Sequence, residues 1–204
     1  MRLKRRLVWG VGINDVDYAV NQLKTTGFVC PYYLVWQKML ERCYSEKYLK
    51  VKPTYVGCSI HPEWQRFSNF IKWVDSQPNR DWQNCQPDKD LLVRDNKLYG
   101  PDTVVFVSRQ LNGFLNTNKG QRGTLLIGVS YYPNTTLKFR AACNDPFLKK
   151  QIKLGFYKTE LDAHKAWQAK KHEYACQLAE LQDDPRVADA LRQRYAPDKD
   201  WTKE

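Results

Sequence analysis

Residues 127–157 read IGVSYYPNTTLKFRAACNDPFLKKQIKLGFY, and residues 159–181 continue as TELDAHKAWQAKKHEYACQLAEL. Three short segments of the first stretch alternate in side-chain type, with turn residues at 133–135 and 144–146 between them. Alternation over four to eight residues is the pattern of a strand buried on one side only. The middle segment sets Phe139, Ala141 and Cys143 against Lys138, Arg140 and Ala142. The third sets Ile152, Leu154 and Phe156 against Gln151 and Lys153. The second stretch is an amphipathic helix, from which Leu161, Ala163, Ala166, Trp167, Ala169 and Lys170 are expected to meet the apolar side. The pattern predicts a three-stranded antiparallel sheet packed on one helix, with a polar, basic and aromatic face left open.

Charge points to what that open face meets. The chain of 204 residues carries a formal charge of +11. Between positions 119 and 178 there are eleven Lys or Arg against four Asp or Glu. Clustered positive charge interleaved with aromatic rings is the electrostatic footprint of a nucleic-acid binder, whose affinity falls steeply with salt. A membrane surface is excluded as the partner, because no run approaches eighteen apolar residues and no lysine-rich helix has a wide apolar face. RNA is disfavoured too, since a rigid sheet cannot enter the narrow A-form major groove.

The motifs IGVSYY, KFRAA, KLGFY and TELDAHKAW, in that order and spacing, resemble the Apetala (ethylene-response-factor) DNA-binding domain over about sixty residues. The resemblance implies a sheet lying in the major groove of double-stranded DNA and reading bases from its solvent face. It assigns that role here to Ser130, Tyr132, Lys138, Arg140, Asn144, Gln151 and Lys153. Arg140 suits guanine and Asn144 or Gln151 suits adenine, whereas Lys149, Lys150 and Lys153 suit phosphates. Fewer arginines stand at these positions than in plant members of the family.

Residues 30–116 form a different kind of segment, with four of the seven tryptophans. YYLVWQKMLERCY at 32–44 puts Tyr33, Trp36, Met39, Leu40 and Cys43 at helical spacing, which is a core stripe. Pro62 opens a second helix with Trp64, Phe67, Phe70, Ile71 and Trp73 on one face. DKDLLV at 88–93 reads as a strand, and VVFVS at 104–108 returns to another helix. YYLVWQKMLERCY, YVGCSIHPEWQRFSNF, PDKDLLVRDNKLYGPDTVVFV and the later Asn112 resemble a bacteriophage branch of the HNH nucleases, homing or free-standing, in which such a unit is often joined to an Apetala-type domain. That resemblance implies an HNH-like ββα-containing domain, Mg2+ or a similar divalent ion, hydrolysis of DNA phosphodiester bonds and an infected bacterial cytoplasm as the setting. Asp88 takes the metal-ligand position, Lys89 stands where the histidine base belongs, Thr103 replaces the motif asparagine and Asn112 fits the final position. Asp90 is a second candidate metal ligand, on the same strand face as Asp88. A lysine of ordinary pKa, ~10.4, is a poor base at neutral pH, so His61 is the alternative base, or else a helix cap. Two non-catalytic roles compete: a DNA-binding regulator, or an inhibitor that grips a host protein through its aromatic surface.

The remaining signals bound the organisation. The fold class is α+β, with a basic arm at 1–29, the nuclease-type unit at 30–116, the sheet domain at 117–180 and a C-terminal helix and tail at 181–204. NTNKGQRG at 116–123 is the expected linker. Asp183-Asp184-Pro185 opens a short helix carrying Val187, Leu191 and Tyr195. The six cysteines lack CxxC or Cys/His zinc spacing, so no zinc is expected and the thiols should be reduced. Gly10-Val11-Gly12 lacks the third glycine of a dinucleotide loop. The short, glycine-broken apolar run after the basic start is no signal peptide.

Overall fold

The computed structural model describes residues 6–22, 25–116 and 124–202. The chain divides into two compact units, Met1–Phe106 and Val107–Glu204. The division falls ten residues before the boundary expected at 116/117. Beyond Asn116, the expected linker lies outside the described residues, as do parts of the basic arm.

The first unit begins with a tight turn in which Val8 and Gly12 exchange backbone hydrogen bonds of 2.8 Å. Gly10 takes φ +77° there, and a Cβ on Gly12 would lie 2.5 Å from Leu40 Cδ1. The glycine run is thus a backbone requirement. Strands β1 (Asn21–Gln22) and β2 (Phe28–Val29) pair antiparallel. Helix α1 (Pro31–Tyr44) starts on a proline, whose missing amide costs nothing at that position, and buries Trp36, Met39, Leu40 and Cys43. Ser45 caps α2 (Glu46–Val51) through Tyr48 N. After β3 (Ser59–Ile60) and a 3-10 turn at Pro62–Gln65, α3 (Phe67–Ser76) turns Phe67, Phe70 and Val74 inward. Trp36 Nε1 donates to Trp64 O at 2.6 Å, so the largest apolar side chain of α1 leaves no polar atom stranded. Trp36 meets Phe67 at 5.1 Å between ring centres, and Trp64 meets Trp73 at 4.5 Å. Each such side chain contributes about 1.5–3 kcal/mol by leaving water.

Strands β4 (Cys85–Asp88), β5 (Leu98–Tyr99) and β6 (Val105–Ser108) complete this part of the chain. β3 pairs parallel with β5, and β4 pairs with β6, the strand in which the division falls. The strand expected at 88–93 is not formed. Strand β4 ends where that one was to start, because Asp88 Oδ1 accepts from both Asp90 N and Leu91 N at 2.8 Å and bends the chain into a turn.

In the second unit α4 (Arg109–Leu115), capped by Ser108, is followed by β7 (Val129–Tyr131), β8 (Phe139–Asp145) and β9 (Lys150–Tyr157). They form the expected antiparallel sheet in the order β7-β8-β9. Thr159 caps α5 (Glu160–Ala179) by accepting from Asp162 N, and the acidic first turn suits the helix dipole. The helix face against the sheet is not quite the expected one. Ala163, His164, Trp167, Lys171, Tyr174, Ala175 and Leu178 are buried, while Leu161 and Ala169 are exposed. The buried set follows the i, i+4, i+7 rows from Ala163 and His164, which rotates the helix away from Leu161. His164 earns its place by bonding through Nδ1 to Ile127 O at 2.9 Å. The C-terminal helix α6 (Pro185–Arg194) forms where expected and packs on α5. Tyr195 and Trp201 stack at 4.6 Å and close over Trp167.

Two outcomes follow from this packing. Gly128 takes φ +83°, and a Cβ there would meet Trp167 Cγ at 2.1 Å. Gly128→Ala is expected to cost about 3 kcal/mol or more in urea unfolding, because strain and overpacking add. Lys171, only 7% exposed, is held by burial down to a pKa of about 8, with Arg194 adding repulsion and the Cys143 thiol opposing it. Unfolded lysine titrates near ~10.4, so between those values the unfolded chain binds more protons and stability rises with pH. Lys171→Met should raise stability at pH 7 by about 1–3 kcal/mol and abolish the rise from pH 8 to 10.

Candidate nucleic-acid interface

The sheet's two faces are sorted by register. Ser130 pairs with Arg140, Arg140 with Phe156, Ala142 with Lys153 and Asn144 with Gln151. These residues share the face turned away from α5, whereas Ala141 and Cys143 are buried on the helix side. Phe156 was expected among the inward residues with Ile152 and Leu154. The ladder skips one position in β9 between Lys153 and Gly155, a β-bulge at Leu154 that reverses the alternation beyond it. Phe156 therefore stands beside Arg140, and Tyr157 takes the inward side opposite Phe139.

The bulge builds a ladder of rings and cations. Arg140 Cζ lies 4.8 Å from the centre of the Tyr132 ring, and Lys153 Nζ lies 4.4 Å from that of Phe156. Tyr132 and Phe156 meet edge to face at 5.6 Å. Tyr132 N donates to Lys138 O at 2.8 Å, extending the β7–β8 pairing past the strand ends. Cation–π contacts of this kind contribute about 0.5–1 kcal/mol at exposed sites and, more usefully, hold the guanidinium in one place. Arg140 Nε is buried with no hydrogen-bond partner, a cost tolerated mainly where the group has another task.

Most of the expected readers are brought together on this face: Ser130, Tyr132, Arg140, Asn144, Gln151 and Lys153, with Lys138 at its edge. Two lysines differ. Lys150 pairs with the buried Asp145, so its side chain leaves from the helix side. Lys149 occupies the β8–β9 turn at φ +53°, a left-handed conformation unusual for lysine. That turn is organised by Asp145, which the sequence reading did not single out. Its carboxylate accepts from Leu148 N at 2.9 Å, Phe147 N at 2.8 Å and Tyr174 OH at 2.9 Å. The Leu148 amide foremost holds its pKa below the usual range. An Asp three residues before a turn's end is the available signal for such a role.

Of the residues the nuclease resemblance singles out in the first unit, Asp88, Lys89 and Asp90 bond among themselves, and Thr103 and His61 bond to other neighbours. Lys89, 7% exposed, donates to Asp90 Oδ1 at 2.6 Å and to Asn96 O. Asn96 Nδ2 returns bonds to Lys89 O and Leu98 O. Asp88 holds the turn described above. Thr103 Oγ1 donates to Leu98 O at 2.7 Å and accepts from Gly100 N at 3.1 Å. His61 Nδ1 accepts from Glu63 N at 3.4 Å, the capping geometry. Asn112 lies on α4, in the second unit. Among the described residues no group of three or more His, Cys, Asp or Glu is placed to hold a metal ion. Asp88 Oδ1 accepts from two backbone amides and Asp90 Oδ1 from the Lys89 ammonium, bonds that a metal ion on those oxygens would have to replace. All six cysteines are free, and no helix among the described residues is long and apolar enough to cross a membrane.

No family model, no curated protein and no solved structure matches the chain.

The turn bonds of Asp88 give a direct expectation. Asp88→Ala should cost about 1–2 kcal/mol by stranding two backbone donors, while Asp88→Asn keeps an acceptor oxygen and should cost less than half as much. Denaturant midpoints of the two variants check this.

Proposed function

We propose that this chain binds double-stranded DNA through the open face of β7-β8-β9, in the manner of the Apetala-type domain that its sheet motifs resemble. The observation that carries the reading is the Tyr132–Arg140–Phe156–Lys153 ladder, opposite the face covered by α5. Three strands spaced ~4.8 Å apart make a blade that matches a major groove ~12 Å wide. Arg140, steadied by Tyr132, is the guanine reader; Asn144 and Gln151, exposed and side by side, are the adenine readers. Lys153 and Lys149 meet phosphates.

A second reading is metal-dependent phosphodiester hydrolysis by the segment that carries the nuclease resemblance. What favours it is that β4 pairs with β6 and α4 begins at the next residue, the strand–strand–helix order of the nuclease resemblance. Here Asp88 and Asp90 would hold Mg2+ once Lys89 had moved.

One titration into labelled duplex fragments, with Mg2+ and with EDTA, separates these readings when mobility shift and strand breakage are scored on the same samples. Shifted, intact DNA under both conditions is expected. Breakage only with Mg2+, lost in Asp88→Asn while the shift persists, would establish the nuclease. Arg140→Ala should weaken specific binding about tenfold to a hundredfold, in line with ~1–3 kcal/mol per bidentate contact. Lys153→Met should reduce the salt slope by about one. Absence of any shift at low salt would sink the DNA reading and leave the host-protein one.

A further inference from the structure

Beside the end of the sheet, within the second unit, lies a cavity of about 410 Å³ lined by α4, the β8–β9 turn and α5. Its volume is in the range of small-molecule sites. Arg109, Lys149 and Lys171 bring three cations to its wall, against one carboxylate, Asp145. The Asp145 oxygens are taken up by two backbone amides and the Tyr174 hydroxyl. Among the described residues none of the three cations forms an ion pair.

Lys171 is the informative one. Its ammonium is buried against the Phe114 ring, 3.4 Å from the ring centre, and donates to Phe114 O, with no anion to balance it. An unbalanced buried cation costs stability unless something negative arrives. Lys149 reaches the same wall from a left-handed backbone that glycine or asparagine would adopt more readily. Gly113, on the α4 side, leaves the space open: a Cβ there would meet nothing within 4 Å. We propose that this cavity binds a phosphate group, balanced by Lys171, Lys149 and Arg109.

Two sources carry that chemistry. One is free phosphate or a mononucleotide, whose sugar the volume accommodates. The other is a backbone phosphate of a bound duplex, since Asn144 lines the cavity and also stands on the open sheet face. The proposal does not rest on the DNA reading, because the first source can be tested without DNA.

The full chain, labelled with 15N, would be titrated with sodium phosphate and then with adenosine 5′-monophosphate at constant ionic strength, chloride serving as the control anion. Lys171→Met and Gly113→Leu are the test variants, the second filling the space without touching a charge; Lys47→Met, an exposed lysine of the other unit, is the control. Saturable shifts of the Gly113, Asn144 and Lys149 amides, weakened at least tenfold in both test variants and not in the control, would establish the site with a free ligand. No such shifts, but duplex affinity lowered at least tenfold by both test variants, would establish it as a backbone-phosphate contact. Shifts that persist in both variants, or an absence of shifts together with unchanged duplex affinity, would overturn it. Because Lys171→Met relieves a buried charge and Gly113→Leu meets open space, loss of binding in both is not explained by unfolding.

Discussion

Trp167 lies against the backbone of Gly128, closer than any other residue at that position allows. This contact fixes where α5 crosses the sheet. Once the indole is in place, Ala141 and Cys143 are covered, His164 reaches the Ile127 carbonyl, and Tyr195 and Trp201 close from the other side. The helix can cover only one face, so the residues of the other strand parity are left uncovered by it. Both the composition of the open face and the tolerance of its charges depend on that single close approach.

Much of this second unit was legible in the sequence, because strands of period two and a helix of period 3.6 leave different marks. Phe139, Ala141 and Cys143 against Arg140 and Ala142 stated the sorting of β8 correctly, and Asp184-Pro185 marked the start of α6. Two things were not legible. A bulge has no strong composition signature, so the reversal at Leu154 and the outward Phe156 required the ladder itself. The rotation of α5 was hidden because Leu161 and Ala169 look as apolar as the residues actually buried, and because Lys171 and His164 look polar. Their burial depends on partners far away in sequence, Phe114 O and Ile127 O, which no local window contains.

The first unit shows the same division. The apolar stripes of α1 and α3 were readable in the main: Trp36, Met39, Leu40, Cys43, Phe67 and Phe70 are buried, whereas Tyr33, Ile71 and Trp73 are half-buried and Val74 takes a buried place that was not expected. The charged residues that follow them were not, since an Asp next to a Lys can ligate a metal, pair or bend a chain. Here Asp88 bends the chain and Lys89 pairs with Asp90, both short-range choices that local backbone geometry decides. Lys89 thereby supplies the counter-ion of the neighbouring Asp90 carboxylate.

The bulge at Leu154 also means that β9 carries one residue more than its pairing with β8 uses. Removing that single codon would restore strict alternation while leaving Phe156 beside Arg140 and Tyr157 opposite Phe139, without changing the chemistry of any other residue. Substitution scanning would find Leu154 unremarkable, since its backbone matters more than its side chain. A one-residue change of length at this position is therefore one that a sheet of this kind can accept while keeping both its outward surface and its core.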